Sequence, residues 1–346
     1  MRQAGLVVAL GWIVGSTLFS SCPQAAAHDS TVFPTIGEVI RKDKRLDKII
    51  PLDAKIEVVA SGFIWSEGPL WVEDYLLFSD VPQNTIFKWK EGEGISVWMK
   101  PSGYTGLGDY SPEPGSNGLA LDRQGRVIFC EHGDRRISVL TKDGGKLTLA
   151  DRYQGKRFHS PNDVTVKSNG DIYFADPPYG LPGQEKSPLK EMDIYGVYRV
   201  SANGDVTLLT DEVSRPNGVA FSPDEKTLYV ANTDPADAVL RAFPVQPDGT
   251  LGPSKVIYDF RPLVGKFKHL PDGLKVDREG NLFVAGPGGI HVLAPDGTPL
   301  GLIFTGQATT NCAFGGDGSE LYMTADAFIL RIKTLTKGAN GKAGAQ

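Results

Sequence analysis

Six variations on one phrase, a spacing of 39 to 55 residues between them, and an almost complete lack of helical periodicity predict an all-β protein, a six-bladed β-propeller. The phrases are WSEGPLWVEDYLLFSDV, GSNGLALDRQGRVIFCEHG, SPNDVTVKSNGDIYFAD, RPNGVAFSPDEKTLYVAN, LPDGLKVDREGNLFVAG and TTNCAFGGDGSELYMTAD. Each sets a polar anchor before alternating apolar residues, then a Gly- or Asp-containing turn, then a second apolar run. The anchors Glu67, Asn117, Asn162, Asn217, Asp272 and Asn311 stand 50, 45, 55, 55 and 39 residues apart.

Taken in order, the chain opens on an apolar stretch from Leu6 to Phe19 behind Arg2, ending in Ala25-Ala26-Ala27. That is the layout of a secretory signal over residues 1–27, too short for a comfortable membrane span, and it predicts a periplasmic or secreted protein. LFSSC, ending at Cys22, offers the alternative of a lipid anchor at that cysteine. Residues 28–54 read as an N-terminal extension in which IGEVIRKDKRLDKII forms a short helix. Residues 55–335 are the propeller. Alternation on both sides of a short turn, as in V-A-F and L-Y-V, marks a hairpin, and two further strand-like runs after each pair make four strands per blade. Blade six is followed only by FILRIKTL and lacks a strand. AKIEVVASG, ahead of blade one, is expected to supply it, because an open ring would expose two sheet edges. Residues 336–346 are a C-terminal tail.

A net charge of -5 over 346 residues, with no dense Lys/Arg cluster, argues against nucleic acid as a partner. Cys130 and Cys312 fall in blades two and six, too far apart in the ring for a disulfide.

The anchors precede the first strand of each blade, while the hairpin turns lie about eight residues later (DRQG, KSNG, SPDE, DREG, GGDG). Six such positions converge on one axis. Glu67, Asn162, Asn217 and Asp272 would bring two carboxylates and two amide oxygens to one mouth, and like charges pressed together out of water repel unless a cation sits between them. An all-oxygen shell suits a hard divalent ion, Ca²⁺ before Mg²⁺, so the propeller is expected to carry a central metal site.

The motifs SEGPLW, SPNDVTV, RPNGVAFSPD, PDGLKVD and TNCAFGG resemble those of the gluconolactonase and regucalcin (senescence marker protein) family of six-bladed metal-dependent lactonases, over roughly residues 55–335. The resemblance implies metal binding by Glu67, Asn217 and Asp272, with Asn162 above the metal, and makes Asp272 the catalytic base. Where animal members carry an arginine two residues before the N-D asparagine, this chain has Ser160, with Arg157 nearby. CEHGDRRI, closer to the bacterial branch, brings Glu131, His132 and Arg135 to the same rim.

No G-x-S-x-G elbow is present, so the expected chemistry is metal-assisted opening of a small sugar lactone to its aldonic acid. Asn117, Asn311, His132 and His159 are the expected substrate contacts, and His132 or His159 is the histidine that would assist the base. Trp65, Tyr104, Tyr179 and Phe158 are candidate walls for a sugar ring, and YTGLGDYSPEPG a candidate cover. Phosphotriester hydrolysis on the same site, or a non-catalytic exported binding propeller, are the alternatives.

Overall fold

A computed structural model describes residues 32–339. The expected signal at 1–27, Cys22 and most of the tail lie outside them. Alternation of apolar and polar residues gives four-stranded antiparallel sheets, each running outward from the axis in chain order. Blade one comprises Ser66–Val72, Tyr75–Asp80, Thr85–Lys90 and Gly94–Met99, and blade two Ser116–Leu121, Val127–Glu131, Arg136–Leu140 and Lys146–Ala150. Blade three comprises Val164–Val166, Ile172–Asp176, Gly196–Val200 and Val206–Thr210. Blade four comprises Pro216–Phe221, Thr227–Asn232, Val239–Pro244 and Lys255–Asp259. Blade five holds Leu274–Val276, Leu282–Gly286, Gly289–Leu293 and Pro299–Phe304, and blade six Thr309–Gly315, Glu320–Ala325 and Phe328–Lys333.

The ring closes as the sequence requires. Ile56–Ser61, from the AKIEVVASG segment, pairs antiparallel with Phe328–Lys333 as the fourth strand of blade six. Upstream residues continue the same logic: Thr35–Ile36 adds to Ile56–Ser61, and Glu38–Arg41 adds to Pro299–Phe304 on blade five. The stretch expected to be one short helix is therefore divided. Its first half is that edge strand, and only Lys44–Lys48 turns, as a 3-10 helix capped by Asp43. Pairing to an open sheet edge satisfies a row of backbone groups at once, which outweighs a weak helical preference.

Six hydrophobic clusters hold the blades together, one at each junction. Cys130 lies in the two–three junction and Cys312 in the five–six junction; both are buried free thiols. Phe158, a candidate sugar wall, is instead fully buried in the two–three core, edge-on to Phe174 at 5.0 Å. Among the described residues no helix is long and apolar enough to cross a membrane.

Candidate active site

All six anchors are buried at the axis, with exposures of 1–4%. Local structure aims them there. In blades one, two, four and six the register shifts beside the anchor, at Glu67/Leu70, Ser116/Leu119, Pro216/Val219 and Thr309/Asn311. A bulge of this kind kinks the strand and re-aims a side chain. The glycine that follows serves close packing rather than a hairpin turn. A Cβ at Gly68 would stand 2.0 Å from the carbonyl oxygen of Asn117, and one at Gly218 would stand 2.3 Å from that of Asp272. The backbones of Asn117, Asn162 and Asp272 thus lean on the glycine of the preceding blade, and Gly273 makes room for the Asn311 side chain in the same way.

In blade three, Asp163 stands where four other phrases have glycine. Its buried carboxylate accepts from the backbone N–H of Val164 (3.0 Å) and Val219 (3.4 Å), and Lys275 faces it. Asn311, an expected substrate contact, is spent in this layer: its Oδ1 accepts from the Cys312 N–H (2.9 Å) and Lys275 Nζ (3.4 Å).

Electrostatically the mouth is an acidic pocket in a dry setting. Burial, and then the Asp272 charge, push the Glu67 carboxyl well above its ordinary range. Burial, with Asp163 and Glu113, does the same to Asp272. Glu113 is pushed up to about 7 by burial. Among the described residues, Asp272 Oδ1, Asn217 Oδ1 and Asn117 Oδ1 are buried without a hydrogen-bond partner. Polar oxygens are rarely left so without a ligand to receive them. No group of three or more His, Cys, Asp or Glu among the described residues is arranged for a metal. The donor set is two carboxylates with amide oxygens, which fits a hard cation and not a zinc-type one.

The histidines sort differently from expectation. His159 has no ring nitrogen to offer substrate: Nδ1 bonds Asp176 Oδ2 (3.1 Å) and Nε2 the Met192 carbonyl (3.0 Å), in full burial. Asp176, at the end of a blade-three strand, wins it by also binding the His159 and Ser160 N–H groups. His132 does lie at the mouth, with Nε2 3.4 Å from Asn162 Nδ2 and Nδ1 3.2 Å from the Glu113 carbonyl. Burial holds its pKa down to about 4, so it is neutral. Glu131 is scaffold, buried and paired with Arg136 (2.9 Å) and Lys146 (3.2 Å). Ser160 is closed off as well, its hydroxyl donating to the Pro177 carbonyl (2.6 Å) and accepting from the Gly180 N–H (3.0 Å).

The histidine that meets the acid is His269, to which the sequence reading gave no role. Its Nε2 lies 2.6 Å from Asp272 Oδ2, its backbone takes a left-handed φ of 75°, and Trp65 packs 5.5 Å from its ring. The readable signal was its place three residues before Asp272, in KHLPDG. Tyr179 also faces Asp272, whose charge adds to burial in raising the phenol. Trp65 thus reaches the acid through the His269 ring, and Tyr179 lies within range of its charge. The 104–115 segment is pinned over blade two, with the Glu113 carbonyl on His132 and Thr105 on Asp134.

A propeller that gathers buried carboxylates and amides from the inner ends of its blades at one mouth is an axial-site propeller. This chain belongs to the SMP-30/gluconolactonase/LRE-like family, which it matches over residues 65–327. It is 38% identical to a gluconolactonase of Zymomonas mobilis over 97% of both chains. The solved structure of a gluconolactonase of Xanthomonas campestris superposes with a TM-score of 0.75 at 31% identity, covering 87% of this chain and 97% of that one. A calcium-binding protein, regucalcin, of Agrobacterium tumefaciens shares the fold, with a TM-score of 0.64 at 20% identity over 89% of this chain and 97% of its own.

Proposed function

We propose that the chain opens a sugar lactone of the gluconolactone type to its aldonic acid, with a divalent cation, Ca²⁺ first, held by Glu67, Asn217 and Asp272 beside Asn162. One observation carries the reading. Two buried carboxylates, Glu67 and Asp272, face each other beside unpartnered amide oxygens, in a chain aligned end to end with a gluconolactonase. The enzyme class, lactone hydrolase, follows from the relatives. The cation rests on the donor set, since the two acids would otherwise repel without compensation.

Such an ion, when bound, supplies Lewis-acid polarisation of the lactone carbonyl and a counter-charge for the oxyanion. The chain's own groups do the rest. His269 holds Asp272 through Oδ2, so the unpartnered Oδ1 is the oxygen that would face the cation, and the same carboxylate takes the proton of the attacking water. Neutral His132 holds the Asn162 amide. Trp65 and Tyr179 confine the sugar. Residues 1–27 support export, which would put the mature enzyme in the periplasm or outside the cell.

The test is turnover of D-glucono-1,5-lactone, an aryl ester and a phosphotriester, with and without chelator. The reading expects lactone hydrolysis that chelator abolishes and added Ca²⁺ restores. Chelator-insensitive lactone hydrolysis would remove the metal from it. A preference for the phosphotriester, or silence on all three, would remove the lactonase.

A further inference from the structure

A cavity of about 520 Å³ lies over blade two, and its lining includes none of the anchors. Small-molecule sites are commonly of this size. It forms between the 104–110 segment and the Glu131–Arg136 hairpin, and is walled by Tyr104, Tyr110, Arg135, Arg136, Arg157 and Leu189. Arg135 is 4% exposed and sits at the hairpin turn with a left-handed φ of 56°. Its Nε donates to the Phe158 carbonyl (2.6 Å), and its Nη1 stands 3.7 Å from Glu191 Oε1. Its Nη2 is buried with no partner among the described residues. Arg157 donates through Nη2 to the Asp134 carbonyl, and its Nε is likewise buried without a partner. The Tyr110 hydroxyl is the third such group.

The other charges in the cavity do not neutralise this. The Asp134 carboxylate is taken by the Thr105 N–H (3.0 Å), the Thr105 hydroxyl (2.8 Å) and Arg136 (3.3 Å). Glu191 also accepts the Arg157 backbone N–H at 2.8 Å. Arg136 is already paired with Glu131 (2.9 Å) as well as Asp134, so Arg135 and Arg157 are the two guanidiniums with a buried donor left over. Leaving buried donors unmade is costly, and a guanidinium fork matches the oxygens of a carboxylate or phosphate. Tyr104 and Tyr110 stack with centroids 4.8 Å apart, giving the cavity an aromatic wall. Gly133 keeps that wall in place, since a Cβ there would stand 2.4 Å from the Cβ of Tyr104.

We propose that this cavity is a second ligand site, for a small sugar bearing an oxyanion. The carboxylate or phosphate lies between Arg135 and Arg157 and accepts from the Tyr110 hydroxyl, and the sugar lies along the tyrosine wall. A bare anion would leave most of the cavity unused, and a neutral sugar would leave both guanidiniums unmet. The site is independent of the lactone reading and of any metal.

Calorimetric titration of the full chain with D-gluconate, glucose 6-phosphate and glucose tests it. One or both acids should bind and glucose should not; the tighter of the two acids identifies carboxylate or phosphate as the anion. Arg157→Gln should weaken binding by about tenfold or more, as loss of a charge-assisted bond does, and Tyr110→Phe by less. Asp272→Asn should leave binding intact, which separates this site from an acid held at the axial mouth. Thermal unfolding identifies the folded variants, and Tyr110→Phe, which removes one hydroxyl, carries the test if Arg157→Gln does not fold. Failure of both acids at millimolar concentration, equal binding of glucose, or undiminished affinity in the folded variants would overturn the proposal. So would loss of binding in Asp272→Asn alone.

Discussion

Asp272 has Oδ2 on His269 and Oδ1 unpartnered, and the proposed roles of ligand and base both fall on that one carboxylate. Asp272→Asn keeps the shape and a carbonyl oxygen, so the channel should still pack. It loses the charge that holds a cation and cannot accept a proton from water. Lactone turnover should fall by about 10²–10⁴-fold and stay low at saturating Ca²⁺. Glu67→Gln removes a ligand but not the base, so excess Ca²⁺ should recover most of its rate. Near wild-type kcat for Asp272→Asn at ordinary Ca²⁺ would end the base assignment. A thermal readout is independent of turnover. A ligand that binds only the folded state raises the melting temperature, so Ca²⁺ should stabilise the wild type and stabilise either variant less. Equal Ca²⁺-dependent shifts in all three proteins would place the ion elsewhere.

At the scale of the strand, the glycine that follows four of the six anchors is a spacer between blades. Gly218→Ala would press a methyl 2.3 Å from the Asp272 carbonyl oxygen, a backbone atom with no easy retreat. A loss of ~1–3 kcal/mol is expected, as for other overpacked sites, together with lost activity because Asp272 must shift. Gly125 is the control. It sits in a solvent turn with φ of 74° and open space around it, so alanine there costs only backbone strain, ~1–2 kcal/mol, and should spare activity. Chemical denaturation paired with lactone turnover separates the two.

His291, on a central strand of blade five, gives that element an acid sensitivity. It is 1% exposed, bonds the Pro287 carbonyl through Nε2 (3.0 Å), and burial pushes its pKa from 6.5 down to about 4. The folded state refuses a proton that the unfolded state accepts, so stability is full above about pH 6.5 and is lost as pH falls toward 4. His291→Gln keeps a donor and removes the titration. Its unfolding free energy should fall less steeply over that window, by up to ~2–3 kcal/mol in total, with His132 and His269 sustaining the remaining slope. An unchanged slope would mean that the ring is already solvated.

For the whole molecule, the junction that matters most is where the ends of the ring meet. Arg331 of blade six is only 6% exposed at its side chain, and it ties three elements together. It bonds Glu57 on the closing strand at 2.8 Å and Glu91 on blade one at 3.0 Å, and lies 3.7 Å from Glu320 beside it. Its guanidinium also lies over the rings of Phe33 and Trp89, at 5.2 and 5.9 Å. Arg331→Met keeps the packing volume and strands three carboxylates near one another. Removing one partner of a buried ion pair costs up to ~3–5 kcal/mol, and partial exposure of these acids should put the loss below that range. The measurement is denaturant unfolding at low and high salt. A loss that shrinks with salt supports the ionic clamp, and no loss at all would assign closure to strand pairing alone.

The ring, its closing strand and the six anchors were legible in the chain because each is a local matter. Alternation, turn residues and a repeat period report on neighbouring residues, and a propeller uses the same neighbours six times. The N-D of blade three, where other phrases have glycine, was also visible, although its partner Lys275 was not. What the tertiary structure alone decided is which distant groups meet. His159 and His269 both precede an anchor by three residues. One is captured by Asp176 and Met192, while the other, turned by a left-handed backbone, reaches Asp272. Glu113 and the Arg135–Arg157 cavity depend on how a long connection settles across a neighbouring hairpin, and periodicity says nothing about that. A pattern of side chains along one strand specifies the blade. The distances between blades, and hence the charges that face each other across the axis, exist only once six of them are packed into a closed ring.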